Sequence, residues 1–229
     1  MSKLNNKRKT AIWQKVEKPI IIFCGGEKTE PNYFNGFKYN IESNAIYRNV
    51  VSIDIIKEPS DTIRILNKAI EYIKVNQIKN GEVWCVFDKD DFNSEDFNNA
   101  IYKADSLNEQ SDSVKYHIAW SNECIEIWFL LHFCYYTQNN GRNNYFKKLN
   151  EIFEEKVTVK YEKNNKDIFS ILLEHGNPKE AINFAKKLEG INNGKTPADS
   201  VPGTKVYKLV ESLLIYLPES IKNNFINQS

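Results

Sequence analysis

The sequence predicts an α/β fold: a parallel sheet with helices on both faces, followed by a helical C-terminal extension. Three observations predict it. Ile20–Phe23 and Val83–Phe87 are continuous apolar runs without polar alternation, the composition of strands buried on both sides. Helical stretches separate the strands in the order β-α-β-α-β-α-β-α, which demands parallel pairing and crossovers. The strands end in acids, as in Glu82-Val83-Trp84-Cys85-Val86-Phe87-Asp88-Lys89-Asp90-Asp91. Open parallel sheets bind ligands beyond those carboxyl ends.

Taken in order, residues 1–17 read as a loose basic arm, residues 18–135 as the α/β domain and residues 136–229 as the helical extension. Pro19 to Cys24 is a central strand that ends in Gly25-Gly26-Glu27-Lys28-Thr29-Glu30-Pro31. The glycines permit a tight turn. Thr29 is placed to cap a helix and Pro31 fits its first turn. Tyr33, Phe34 and Phe37 form that helix's apolar face. Val50 to Ile56 is the second strand. Pro59-Ser60-Asp61 starts a helix whose Ile63, Leu66, Ile70 and Ile73 recur at spacings of three and four. Asn80-Gly81 stops it and feeds the acidic strand. Ser94 to Glu109 is the next helix, with Phe97, Ile101 and Ala104 inward. Val114 to Trp120 is the fourth strand, and Ser121 caps an almost wholly apolar helix from Asn122 to about Tyr135. After the polar break Thr137–Gly141, helices are expected at Tyr145–Phe153, Asp167–Glu174, Pro178–Leu188 and Thr204–Leu217. Gly190 to Gly203 reads as a loop rich in Asn, Gly and Pro.

Bulk composition excludes several classes. The 229 residues carry 31 Lys and Arg against 30 acids, so any nucleic-acid contact must use a local patch rather than overall charge. Lys147 to Lys166 is the richest basic segment, but its four glutamates make it a solvated helical face. Cys24, Cys85, Cys124 and Cys134 have no CxxC spacing and read as reduced core thiols. No leader is apparent in Met1–Thr10, and no apolar run reaches the roughly 20 residues that span a bilayer. A soluble cytoplasmic protein with no membrane partner is expected.

Three acidic clusters fall at strand ends: Glu27 and Glu30 after the first, Asp88, Asp90 and Asp91 after the third, and Glu123 and Glu126 after the fourth. Asp88 and Asp90, two apart in extended backbone, point to one side. Carboxylates so placed repel unless a cation lies between them, and Mg²⁺ (or Mn²⁺) suits such oxygen donors. A metal held this way keeps positions for water and phosphate and can generate hydroxide. The chain has neither a GxxxxGK[ST] loop nor a GxGxxG turn. His117 and His132 read as structural, and His175 suits a helix C-terminus. Cys124 lacks an identifiable base and reads as core. Glu126, on a strongly apolar helix, needs a partner.

The residues Ile21-Ile22-Phe23-Cys24-Gly25-Gly26-Glu27-Lys28-Thr29-Glu30-Pro31-Asn32-Tyr33-Phe34 resemble the opening motif of RloB-like proteins. Val83–Phe92 (VWCVFDKDDF), Ala119–Phe133 (AWSNECIEIWFLLHF) and Gly203–Val210 (GTKVYKLV) are similar to their later motifs. The resemblance spans about residues 19–215. It implies a Toprim-like domain, the phosphodiester-handling fold, and a Mg²⁺-dependent nuclease of restriction-associated or abortive phage-defence loci, acting on DNA or RNA under an ABC-class ATPase partner. On this reading Asp88 and Asp90 hold the metal, with Asp91 a further ligand. Glu27 or Glu30 completes the site or acts as base, and Lys28 or Lys89 steadies a phosphate. Gly26, Ser121, Asn122 and Glu126 support the site. The family's first motif usually reads Cys-Glu-Gly-Glu-x-Thr-Glu, and its general acid/base is the first Glu. Gly25 stands there in this chain.

Overall fold

A computed structural model describes residues 18–226 except 111 and 112; the expected basic arm, residues 1–17, lies outside the described residues. Four parallel strands form the sheet: β1 (Lys18–Cys24), β2 (Val51–Lys57), β3 (Gly81–Asp88) and β4 (Val114–Asn122). A two-residue strand, β5 (Gly203–Thr204), joins antiparallel, giving the order β2-β1-β3-β4-β5. The expected α/β class, with its parallel sheet, is therefore observed.

Helices cover both faces. Even-numbered β1 residues, Ile20 and Ile22, face a cluster with α1 (Thr29–Ser43), whose Tyr33, Phe34 and Phe37 are fully buried. The same cluster takes in α4 (Glu126–Leu131), α5 (Arg142–Lys156), α6 (Ile168–His175), α7 (Pro178–Ile191), α8 (Val206–Leu214) and Phe225 of α9 (Glu219–Ile226). Odd-numbered residues, Ile21 and Phe23, face α2 (Thr62–Val75) and α3 (Ser94–Gln110) on the other side. Period-two alternation along each strand thus serves two cores, which is why the strands read as unbroken apolar runs. At the centre of the first cluster Trp128 is 0% exposed. Trp128→Ala is expected to cost about 3–5 kcal/mol by cavity formation, measurable in a urea titration.

Several local expectations change. The start of α2 does not: it follows Pro59-Ser60-Asp61 as expected, capped by Asp61, which accepts from the Arg64 amide at 3.1 Å. Thr29 does not cap α1; its hydroxyl donates instead to the Lys163 carbonyl at 2.9 Å. On α3 the fully buried residues are Phe97, Ala100 and Ala104, whereas Ile101 is only partly buried. The helix expected from Asn122 begins at Glu126, because Ser121 and Asn122 extend β4 to pair with β5. The segment expected to be purely helical thus also contributes a strand. Its last helix, α9, was not expected, since the short polar run after Pro218 carries few apolar positions.

All four cysteines are free, three of them buried. His132 is buried with Nδ1 2.9 Å from the Trp128 carbonyl, and burial pulls its pKa down to about 4. It is a neutral packing residue, as expected. No described helix is long and apolar enough to cross a membrane.

Candidate functional site: a carboxylate-lined crevice

The strand order reverses at β1: the chain goes to β2 on one side and then, through α2, to β3 on the other. That reversal opens a crevice beyond the carboxyl ends of β1 and β3, where α/β sheets bind ligands. The crevice, about 220 Å³, is lined by Gly25 and Gly26 from the turn after β1, Asp88 from the end of β3, and Glu30, Asp90 and Glu126. Four of the acids found in the sequence therefore gather in one place, although they come from three strand ends.

Glu30 sits in the first turn of α1 and is 5% exposed. Its carboxylate folds back over the turn, where its own amide and that of Gly26 donate to it. Gly26 makes this possible: a Cβ there would collide with Glu30 Oε2. Burial, reinforced by the charges of Glu126 and Asp90, pushes the Glu30 carboxyl up to about 7 despite those hydrogen bonds. Gly26→Ala is expected to displace this carboxylate, and a carboxyl titrating near 7 in the wild-type carbon NMR spectrum should move toward the ordinary range.

Asp88 ends β3 and pairs in register with Ser121. Part of its surface still faces the crevice, but protein crowds it closely. Desolvation, then the charges of Glu30, Glu126 and Asp90, raise its pKa well above the usual range, while the Ile125 amide opposes the shift. After Asp88 the backbone leaves the extended conformation: Asp90 has φ +38°. The extended i, i+2 geometry expected for the pair does not occur. Asp90 reaches the crevice instead because its amide donates to the Glu123 carbonyl at 2.9 Å and the Lys89 amide to the Ser121 carbonyl at 2.8 Å. An aspartate tolerates this left-handed backbone better than most residues.

Glu126 opens α4, 1% exposed, and accepts from the Tyr161 hydroxyl at 2.9 Å. Lys163, from the same α5–α6 connection, also lines the crevice. That connection is tied across α1 by Thr29 and by Asn32, whose amide donates to the Asn164 and Asn165 carbonyls at 3.1 and 3.2 Å. Arg142 bridges Asp90 at 2.7 Å and Asp91 at 2.6 Å, and its amide donates to Glu123 Oε2 at 2.7 Å. Tyr161 and Arg142 are not singled out by the sequence, and Lys163 falls in the Lys147–Lys166 segment expected to be a solvated helical face, whereas α5 ends at Lys156 and Lys163 lines the crevice from the connection beyond it. Arg142 carried a signal as one of four arginines in a lysine-rich chain, directly after Asn-Asn-Gly.

The other sequence candidates lie elsewhere. Glu27 and Lys28 are exposed on the outside of the turn and do not line the crevice. Asp91, its side chain 88% exposed, faces Arg142. Lys89 folds onto the carbonyls of Asp90 and Phe92. Ser121 meets the Thr204 hydroxyl at 3.0 Å, and the Asn122 amide donates to the Ala198 carbonyl at 2.8 Å. Ser121 is held by β5, and Asn122 by the Pro197–Asp199 turn that precedes it.

Among the described residues, no three His, Cys, Asp or Glu side chains are placed to hold a metal through protein ligands alone. The donor chemistry nevertheless suits a hard cation: carboxylate oxygens gathered in one crevice, where burial first and mutual repulsion second raise the pKa values of Glu30 and Asp88. Mg²⁺ in particular is commonly held by one or two carboxylates with water in its other positions.

Fold and crevice together define an α/β protein with a carboxylate cluster at the switch point of its sheet. The family described as RloB-like protein matches residues 20–213, most of the chain, and the chain belongs to that family. No curated protein and no solved structure matches it.

Proposed function

We propose that this chain is a Mg²⁺-dependent, Toprim-type endonuclease that acts on nucleic acid in anti-phage defence under the control of an ABC-class ATPase. The observation that carries the chemistry is the convergence of Glu30, Asp88, Asp90 and Glu126 on one crevice. The Toprim assignment, the defence setting and the ATPase partner rest on the family resemblance.

Asp88 and Asp90 would hold the metal, which when bound polarises a phosphodiester and activates water. Glu30 is the general acid/base in this reading. From the first turn of α1 its carboxylate lies against Gly26 in the turn after β1, and a carboxyl titrating near 7 exchanges protons readily at neutral pH. Glu30 thereby supplies the carboxylate that the family's usual first Glu would bring, although Gly25 stands at that position. Glu126, fixed by Tyr161, places a further carboxyl group in the crevice with Asp88 and Glu30. Lys163, whose Nζ stands 4.3 Å from the Phe146 ring centroid, lines the crevice and would meet a substrate phosphate. Arg142 fixes Asp90 by engaging its Oδ1.

The test is cleavage of supercoiled plasmid, single-stranded DNA and total tRNA in Mg²⁺ or Mn²⁺, with and without an ABC-class ATPase encoded beside the gene. Metal-dependent cutting that Asp88→Ala abolishes is expected. Cutting that survives Asp88→Ala, or no cutting under any of these conditions, contradicts the proposal.

Gly25 favours a second reading, a binding or regulatory subunit with little turnover. A Cβ at Gly25 would lie 2.9 Å from Ile65 Cδ1 and 3.2 Å from Phe87 Cβ, so a glutamate there points first at packed side chains. Strong cleavage by Gly25→Glu where wild type has none would favour that second reading.

A further inference from the structure

A cavity of about 370 Å³ lies along the outer edge of β4, lined by none of the crevice acids. It exists because β5 is short. β5 pairs only with Ser121 and Asn122, and Trp120's carbonyl accepts from the Lys205 amide at 2.7 Å. Farther along the strand the Asn108 side chain closes the edge. Its Nδ2 donates to the Tyr116 carbonyl and its Oδ1 accepts from the Tyr116 amide, both at 2.7 Å. Between these two clips Ile118 turns its amide and carbonyl outward, and no described residue bonds to either. A gap of one residue is too short for strand addition, which needs a run of main-chain pairs.

The walls have a definite chemistry. Tyr116 supplies the aromatic surface; Trp120 beside it is 5% exposed, with Lys205 Nζ 5.9 Å from its ring centroid. Lys195, Lys205 and Lys208 line the cavity against two acids, Asp105 and Glu189. Glu189 is already shared among Lys205, Lys208 and the Tyr207 hydroxyl. Lys205, its side chain 18% exposed, is held away from bulk water. The floor is firm: buried Asn192 donates to the Pro202 carbonyl at 2.9 Å. The occupant that matches is anionic at one end and planar at the other, with a donor and an acceptor on its edge. The volume falls within the range of small-molecule sites, about 300–1,000 Å³.

We propose that this cavity binds a mononucleotide, the base stacked on the aromatic wall and bonded to the Ile118 main chain, the phosphate held by Lys195 and Lys208. Aromatic stacking and lysine–phosphate pairing are the two elementary contacts of nucleotide recognition. The proposal does not depend on the nuclease reading, since no crevice residue takes part.

Isothermal titration calorimetry of the full chain with AMP, GMP, CMP and UMP, beside adenosine and inorganic phosphate, tests it. At least one monophosphate is expected to bind saturably, and more tightly than either adenosine or phosphate. The exposed-site double variant Lys195→Glu/Lys208→Glu should weaken it by about tenfold or more while the melting temperature holds. Should that variant melt early, Asn193→Trp at the cavity mouth serves instead and should block binding. Absence of binding by all four monophosphates, equal affinity for phosphate alone, or affinity unchanged in a folded variant overturns the proposal.

Discussion

In metal-free buffer at pH 8, Glu30→Gln is expected to melt several degrees above the wild-type protein. Glu30 has its carboxyl raised from 4.5 to about 7 by burial beside Glu126 and Asp90. A folded-state value above the unfolded one means that the native protein binds this proton more tightly. Glu30's contribution to stability is then fully present below about pH 4.5 and is lost as pH rises through 7. The loss by pH 8 amounts to about 3 kcal/mol, since each unit is worth about 1.4 kcal/mol. Glutamine keeps the neutral shape without the charge. The advantage of Glu30→Gln should therefore shrink toward pH 5, and Mg²⁺ should raise the wild type more than the variant. Thermal melts at pH 5 and 8, with EDTA and with Mg²⁺, check all three. Asp88→Asn should behave in the same direction, because Asp88 is raised by burial and by the same neighbours.

The second large effect is on turnover. Glu30→Gln is expected to reduce metal-dependent cleavage by about 10²–10⁴-fold, the usual contribution of a positioned acid/base. Glu27→Gln should stay near wild type, because Glu27 is exposed outside the crevice. The pair separates two carboxylates three residues apart that the sequence alone treats as equals. Comparable losses in both variants, or none in Glu30→Gln, would contradict the assignment. The same substitution thus trades stability against activity, as expected where like charges are held together for chemistry rather than for folding.

The parallel sheet and its helices were legible because strands buried on both faces leave an unmistakable apolar run, and Asp61 marks its helix with a cap. The acids at the strand ends were legible for the same reason: they interrupt those runs. Which acids turn inward was not. That choice depends on Gly26 leaving room for the Glu30 carboxylate, and on the left-handed turn at Asp90, neither of which has a period to read. The extended pairing of Asp88 and Asp90 failed as an expectation because the Glu123 carbonyl captures the Asp90 amide. Ser121 and Asn122, read as the cap and first residue of a helix beside the site, instead meet a two-residue strand more than 80 positions later. Tyr161, Lys163 and Arg142 arrive from the C-terminal half by tertiary packing, which a single sequence does not encode at any fixed spacing.

The most direct measurement is calorimetric titration of Mg²⁺ into the purified chain at pH 8, beside Asp88→Asn. It needs neither a nucleic-acid substrate nor a partner ATPase, so it isolates the claim that the carboxylate crevice is a metal site. Saturable binding to the wild type that Asp88→Asn removes, with the variant folded and melting at least as high, is the predicted result. No binding to the wild type, or equal binding to both proteins, would contradict the account.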